Sequence, residues 1–303
     1  RVQAQLETLA TLRKEISKRA GQPVLIARHA DKKALSFAQH KDVASFATRG
    51  PATPDHVIRT KRIPMIGRDL ENYSKDYRKY FEKLAKKSKQ PLTMLDTAPR
   101  IILDKELGLL TVGKAATETK IAEDIYRHTM EIISRAEKLE SWQALPDKDI
   151  FDVEYWDLEQ AKLRKAGNAP EFQGEVMLVT GAASGIGKAC VEAFLKRGAA
   201  VVGLDMNASV TTLFDRPDYL GVTCDITNEQ AVKDALEQTV NRFGGLDMLV
   251  LNAGVLPVSK VIGKLPLEEW QKVMRVNLDA NVTLMREAHT LLKLAPKGGR
   301  VVV

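Results

Sequence analysis

The residues best suited to chemistry stand together as Thr180-Gly181-Ala182-Ala183-Ser184-Gly185-Ile186-Gly187. An apolar run at 176–179 precedes them and a helical pattern follows. A strand, a glycine turn and a helix start form an anion-binding device, because backbone N–H groups and the helix dipole converge on one phosphate. Glycine permits positive φ and lets a pyrophosphate approach the backbone. The spacing Gly-x3-Gly-x-Gly is weak evidence by itself. A second apolar run ends at Asp205, 18 residues beyond Gly187. A carboxylate there can accept hydrogen bonds from ribose hydroxyls and repel a 2′-phosphate. Met206 adds no arginine to receive that phosphate.

Two further apolar runs lead into Cys224-Asp225-Ile226 and Asn252-Ala253-Gly254. These motifs, in this order and spacing, resemble the short-chain dehydrogenase/reductase family over residues 172–303. The resemblance implies a Rossmann fold holding a nicotinamide dinucleotide at the carboxyl ends of its strands, with Asp205 favouring NAD. It assigns cofactor binding to Thr180, Gly181, Ser184, Gly185, Ile186 and Gly187. Asp225 and Ile226 match the family's adenine-contacting pair. Asn252, Ala253 and Gly254 match the motif that steadies the sheet and lines the cleft, with Leu251 where the family often has another Asn. Asn277 matches the catalytic Asn that helps hold a water of the proton relay; a helical Asn can also simply bond nearby backbone.

The family's chemistry also needs a Tyr with a Lys four positions later, and a Ser. The cation lowers the Tyr pKa and holds the nicotinamide ribose. Tyr73, Tyr77, Tyr80, Tyr126, Tyr155 and Tyr219 are followed at that spacing by Tyr77, Phe81, Leu84, Met130, Glu159 and Thr223, none of them Lys. The sequence begins at Arg1 and ends in an apolar run at Val303, so it reads as a piece cut at both ends, inactive alone.

The first half lacks an obvious metal centre. Its phrases Arg49-Gly50-Pro51-Ala52-Thr53-Pro54-Asp55-His56-Val57-Ile58-Arg59-Thr60-Lys61-Arg62 and Ile150-Phe151-Asp152-Val153-Glu154-Tyr155-Trp156 resemble bifunctional rhamnulose-1-phosphate aldolase/short-chain dehydrogenase proteins. That resemblance implies a zinc-dependent class II aldolase ahead of a dehydrogenase acting on lactaldehyde, in deoxysugar breakdown. Such an aldolase needs a His-x-His pair, but of His29, His40, His56, His128 and His289 no two are two apart. Leu107 occupies the place of a ligand His in the 107–113 hairpin, and a hydrocarbon cannot ligate zinc. Residues 1–168 are therefore expected to be an aldolase-like connecting region without metal ligands, and 169–303 an incomplete NAD-binding domain.

Charge is uneven: net +12 over residues 1–100, −4 over 101–170 and −1 over 171–303. Lys75, Arg78, Lys79, Lys83, Lys86, Lys87 and Lys89 lie along one helical stretch and read as a solvated face. His56 with Arg59, Lys61 and Arg62 could bind phosphate, but reads more simply as a basic surface helix. Nucleic-acid binding has no motif to support it. Two cysteines, Cys190 and Cys224, give no disulfide framework. No apolar run is long enough to span a bilayer, and no signal peptide is visible. The expectation is a cytoplasmic protein, homo-oligomeric in its complete form, taking a small aldehyde or alcohol. A non-catalytic NAD-binding module is the alternative.

Periodicity predicts α/β architecture. Helices are expected at 3–19, 33–46, 69–88, 116–140 and 148–165, with a strand at 24–27 and a hairpin from 100–103 and 109–112. Residues 166–170 read as a linker. Beyond it, strands at 176–179, 200–204, 222–224, 248–251 and 300–303 alternate with helices at 186–197, 228–242 and 267–292. Near-continuous apolar strands between helices predict a doubly wound parallel sheet.

Overall fold

The computed structural model describes residues 2–88, 91–156 and 169–303. The chain divides into two compact units, one of Leu12–Pro170 and one of Glu171–Val303 with Arg1–Thr11.

The first unit carries a four-stranded mixed sheet. After helix α1 (Val2–Ala20) come β1 (Leu25–His29), β2 (Met65–Ile66), β3 (Ile101–Asp104) and β4 (Gly108–Gly113). Their order in space is β1-β4-β3-β2, with β4 antiparallel to both neighbours and β2 parallel to β3. The hairpin turns through Gly108 at φ +88°, where a Cβ would lie 2.4 Å from the His29 carbonyl oxygen. Only glycine fits this turn.

Helices α2 (Lys32–Ala38), α3 (Val43–Ala47) and α6 (Ala116–Leu139) cover one sheet face, burying Phe37, Phe46, Tyr126, Met130 and Ile133 against Ile101, Leu103 and Leu109. The single helix expected at 33–46 is thus two, because Asp31 caps the first and the chain turns at Gln39. The long helix at 116–140 forms, but its buried stripe is Thr119, Ala122, Tyr126, Met130 and Ile133. Of the positions at helical spacing Ile121, Ile125, His128, Ile132 and Ala136, the last two pack against the core cluster, whereas Ile121 and His128 are exposed. Small and aromatic residues fit closer to the sheet than the β-branched set.

Short helix α4 (Val57–Thr60), α5 (Leu70–Ala85) and α7 (Asp147–Glu154) complete the unit. Asp69 caps α5 by accepting the Asn72 N–H. Tyr77, Tyr80 and Leu84 of α5, spaced three and four residues apart on one face, pack with Phe151 and Tyr155. Lys75, Arg78, Lys79, Lys83, Lys86 and Lys87 are exposed on the opposite side, while Lys89 lies outside the described residues. So do residues 157–165 of the helix expected at 148–165, and 166–168 of the expected linker.

The second unit is a parallel sheet of β5 (Val176–Thr180), β6 (Ala200–Asp205), β7 (Tyr219–Thr223), β8 (Met248–Val250) and β9 (Arg300–Val302). The order is β7-β6-β5-β8-β9. Successive strands are first added on one side of β5 (β6, β7) and then on the other (β8, β9), all parallel. Right-handed crossovers then put helices on opposite faces. Helix α8 (Gly185–Lys196) buries Val191 and Leu195 against Met177, Val179 and Val201. Helix α9 (Glu229–Phe243) packs on β6 and on α11 (Ala280–Lys293). The third strand begins at Tyr219 rather than 222, since Tyr219 closes the core and donates its hydroxyl to the Val210 carbonyl at 2.7 Å. The helix expected at 267–292 is α10 (Leu267–Met274), a π turn at Arg275–Asp279, and α11.

Leu109 is fully buried between the hairpin and the helix layer. Leu109→Ala is expected to cost the first unit about 2–5 kcal/mol, read from its urea transition.

Candidate nucleotide site

The switch between β5 and β8 opens a crevice at the strand ends, the usual ligand position in open α/β sheets. Thr180 ends β5 fully buried, and its Oγ1 accepts the N–H groups of Asn252 and Ala253 at 3.0 and 2.9 Å. Asn252 answers by donating Nδ2 to the Thr180 carbonyl at 3.0 Å. The turn after β5 and the turn after β8 are thereby locked together.

Gly181 takes φ +67°, and a Cβ there would press on Asn252 and Ala253. Gly187 folds back so tightly that its Cβ would lie 2.1 Å from the Gly181 carbonyl oxygen. Gly185 opens α8 at φ +54° with nothing within 4 Å of a Cβ position. Two of the glycines are therefore needed for the turn's own packing, while the third faces open space. Ser184 precedes α8 without a side-chain cap bond, and Ile186 is 75% exposed beside it. The first N–H groups of α8 point into this open space, which suits a diphosphate.

Asp205 ends β6. Its Oδ2 accepts the Ala183 N–H and its Oδ1 the Asn207 N–H, each at 2.9 Å. It ties the glycine turn to the neighbouring strand, a duty its spacing did not reveal. A carboxylate has capacity left for ribose hydroxyls. Asp225 accepts from the Thr227 N–H and hydroxyl, and Ile226 is buried beside it. Gly254 is exposed, and a Cβ there would meet the Asn277 amide at 3.4 Å.

Asn277 sits in the π turn. Its Oδ1 accepts the Val255 N–H at 2.8 Å and its Nδ2 donates to the Val255 carbonyl at 2.9 Å. Its own carbonyl accepts from Asn281 Nδ2 at 2.9 Å. The side chain thus clamps the loop after β8. Val255 and Asn281 are members of this constellation that motif reading missed, because one contributes only backbone and the other lies one helical turn beyond the motif. Of the cysteines, Cys190 is half-buried and Cys224 buried, and burial pushes the Cys224 thiol up to about 11.

In the first unit, no three His, Cys, Asp or Glu side chains among the described residues gather to hold a metal ion. Leu107 is fully buried at the hairpin. His29 instead bridges Glu123 and Thr111 at 3.0 and 3.1 Å. His56 is exposed and pairs with Thr53, but Lys61 is not on the basic surface expected for it. It is 4% exposed, and its ammonium donates to the Asp96 carbonyl. The bend after α4 turns its side chain inward.

Residues 3–163 match the family model for the class II aldolase second domain, and 175–303 that for short chain dehydrogenase. The chain belongs to the class II aldolase second-domain family. The uncharacterized oxidoreductase YuxG of Bacillus subtilis is 29% identical over 302 residues, covering 88% of this chain and 43% of that protein. A 3beta-hydroxysteroid dehydrogenase of Mediterraneibacter gnavus is 35% identical over 137 residues, 43% of this chain and 49% of its own length. A solved 3-ketoacyl-(acyl-carrier-protein) reductase from Brucella melitensis, complexed with NADH, shares 32% identity over 40% of this chain and 51% of that one, with a TM-score of 0.38. The chain spans about half the length, or less, of these relatives.

Thr180→Val keeps the shape but removes the acceptor for two backbone N–H groups. Leaving buried donors unpaired is expected to cost about 1–3 kcal/mol. Thr180→Ser should restore most of the urea midpoint that Thr180→Val loses.

Proposed function

We propose that this chain is the NAD-binding part of a short-chain dehydrogenase joined to a class II aldolase. The observation that carries the reading is the glycine turn: Gly181 and Gly187 close it and Gly185 leaves its mouth open at a helix start. The residues fit a dinucleotide. N–H groups at Gly185, Ile186 and Gly187 would hold the pyrophosphate, and Asp205 the adenosine ribose. Asp225 and Ile226 would border the adenine, with Asn252, Ala253 and Gly254 lining the cleft. Nicotinamide, when bound, supplies or accepts a hydride. Asn277 would position a relay water through its carbonyl while its side chain fixes the loop at Val255.

The finer reading is a bifunctional protein of deoxysugar breakdown. The aldolase releases an aldehyde from rhamnulose 1-phosphate, and the dehydrogenase oxidises that lactaldehyde with NAD. Pairing the two activities in one chain makes chemical sense because the product of one is the substrate of the other. Match of the whole 3–163 region to an aldolase second domain supports this order. The complete protein is read as a cytoplasmic homo-oligomer.

Asp205→Asn keeps an acceptor for one backbone N–H but removes the charge that repels a 2′-phosphate. NADH and NADPH titrations of the variant are expected to move the affinity ratio about tenfold toward NADPH, equivalent to about 1.4 kcal/mol. An unchanged ratio refutes the role given to Asp205.

A further inference from the structure

The proposed dinucleotide site has a second wall that motif reading did not reach. It is the turn that follows Asp205. Met206, Asn207, Ala208 and Ser209 are exposed there, and Val210 after them is fully buried. The turn is held at both ends. At its start the Asp205 carboxylate accepts the Ala183 and Asn207 N–H groups, which fixes it to the glycine turn. At its end the Val210 carbonyl accepts the Tyr219 hydroxyl at 2.7 Å.

The far end is fitted as closely as the glycine turn. A Cβ on Gly221 of β7 would lie 2.0 Å from the Val210 carbonyl oxygen and 2.7 Å from the Thr211 Cα. The 3₁₀ turn Ala208–Thr212 therefore lies directly on the backbone of β7. A Cβ on Gly203 of β6 would lie 2.8 Å from the Tyr219 hydroxyl and 2.9 Å from the Ala182 Cβ. The hydroxyl thus sits over β6, beside the glycine turn. Phe214 packs edge-on against the Tyr219 ring, with centroids 5.0 Å apart, and keeps its direction. Burial, with the Asp205 charge adding to it, pushes this hydroxyl up to about 12, so it stays a donor near neutral pH.

The donors of the turn are spent on the turn itself. The Asn207 N–H goes to Asp205 Oδ1 at 2.9 Å and the Ser209 N–H to Asn207 Oδ1 at 3.0 Å. The Val210 N–H goes to the Asn207 carbonyl at 3.0 Å. The first cation after Asp205 in sequence is Arg216, and two bonds of 2.7 and 2.8 Å commit it to Asp218. A phosphate is held by cations or by free N–H groups. At this turn it would meet engaged donors and the Asp205 charge.

We infer that Tyr219 and Asn207 are positioning residues for dinucleotide selectivity: they hold the 206–209 turn in a self-satisfied form that accepts a ribose with a free 2′-hydroxyl and refuses a 2′-phosphate. This role rests on the nucleotide site proposed above, where a ribose held at Asp205 has the turn as its neighbour. It adds an uncharged cause to the repulsion by Asp205. Charge pushes the phosphate away, and the closed turn gives it nothing to bind. Either cause can be removed with the other in place.

Asn207→Ala frees the Ser209 N–H at an exposed position and leaves Asp205 charged. Tyr219→Phe keeps the ring and releases the Val210 carbonyl. Equilibrium titrations of the 303-residue chain with NADH and with NADPH read both changes. Asn207→Ala is expected to bind NADPH about tenfold more tightly, the worth of one hydrogen bond to a charged oxygen, with NADH within about twofold of the unaltered chain. Tyr219→Phe is expected to move the affinity ratio the same way, by about three- to tenfold. A loss of stability alone would shift both affinities together and leave the ratio. Hydrogen exchange of the unliganded Tyr219→Phe chain should show protection lost at 205–212 and kept in β5. An unchanged ratio in Asn207→Ala, or in a folded Tyr219→Phe, overturns the role while the nucleotide site stands. If the unaltered chain binds neither nucleotide, the site itself falls and the role with it. Should Tyr219→Phe fail to fold, Asn207→Ala decides by itself.

Discussion

Everything at the nucleotide crevice depends on the approach of Gly187 to the Gly181 carbonyl. No side chain fits between them, so β5 and α8 meet at a distance that only two glycines allow. That contact aims the first N–H groups of α8 outward and brings Thr180 under the Asn252 turn. The bonds among Thr180, Asn252 and Ala253 then join two strands that are far apart in sequence but adjacent across the switch point. Asp205 ties in a third strand from the other side. The polar groups of this half bind backbone first, which leaves them already oriented for a ligand.

The two units treat charge in different ways. In the second unit, Glu175 is a buried anion at the foot of the sheet, and Lys297 and Arg300 both reach it. The start of β5 and the stretch leading into β9 are joined there, one carboxylate meeting two cations. In the aldolase-like half, the buried charges around Tyr77 are each bonded: Lys61 to the Asp96 carbonyl, Asp96 to Arg100 and Glu154 to Tyr77. Such a network contributes less to stability than apolar packing would, because desolvation offsets attraction.

Legibility in the sequence followed the same division. In the second half, strand ends, glycine spacing and Asp205 are local features, so motif and periodicity placed the sheet and its crevice closely. The errors were at places where tertiary contact decides. Tyr219 starts its strand early because its ring and hydroxyl close the core around Val210. On α6, Ile132 and Ala136 pack on the core as periodicity suggests, but toward its N-terminus Thr119, Ala122 and Tyr126 are buried in place of Ile121. Lys61 stood in a run of basic residues and read as surface. Nothing local reveals the backbone turn that sends it inward, nor Glu154, ninety-odd residues away, waiting across a tyrosine ring.

The π turn at Arg275–Asp279 has a consequence for how this half could be altered. A π turn carries one residue more than an α-helix needs, and each residue rotates a helix by about 100°. The surplus lets Asn277 turn toward Val255 while Leu284, Ala288 and Leu291 still face the core. Helix α11 is therefore out of phase with α10 by design of length, not of composition. Deleting one residue there would make a better helix and a worse protein: the core register of α11 and the loop clamp could no longer be met by the same turn. Length polymorphism should be tolerated in the loop at 258–264, beyond the clamped Val255, and excluded from this five-residue stretch.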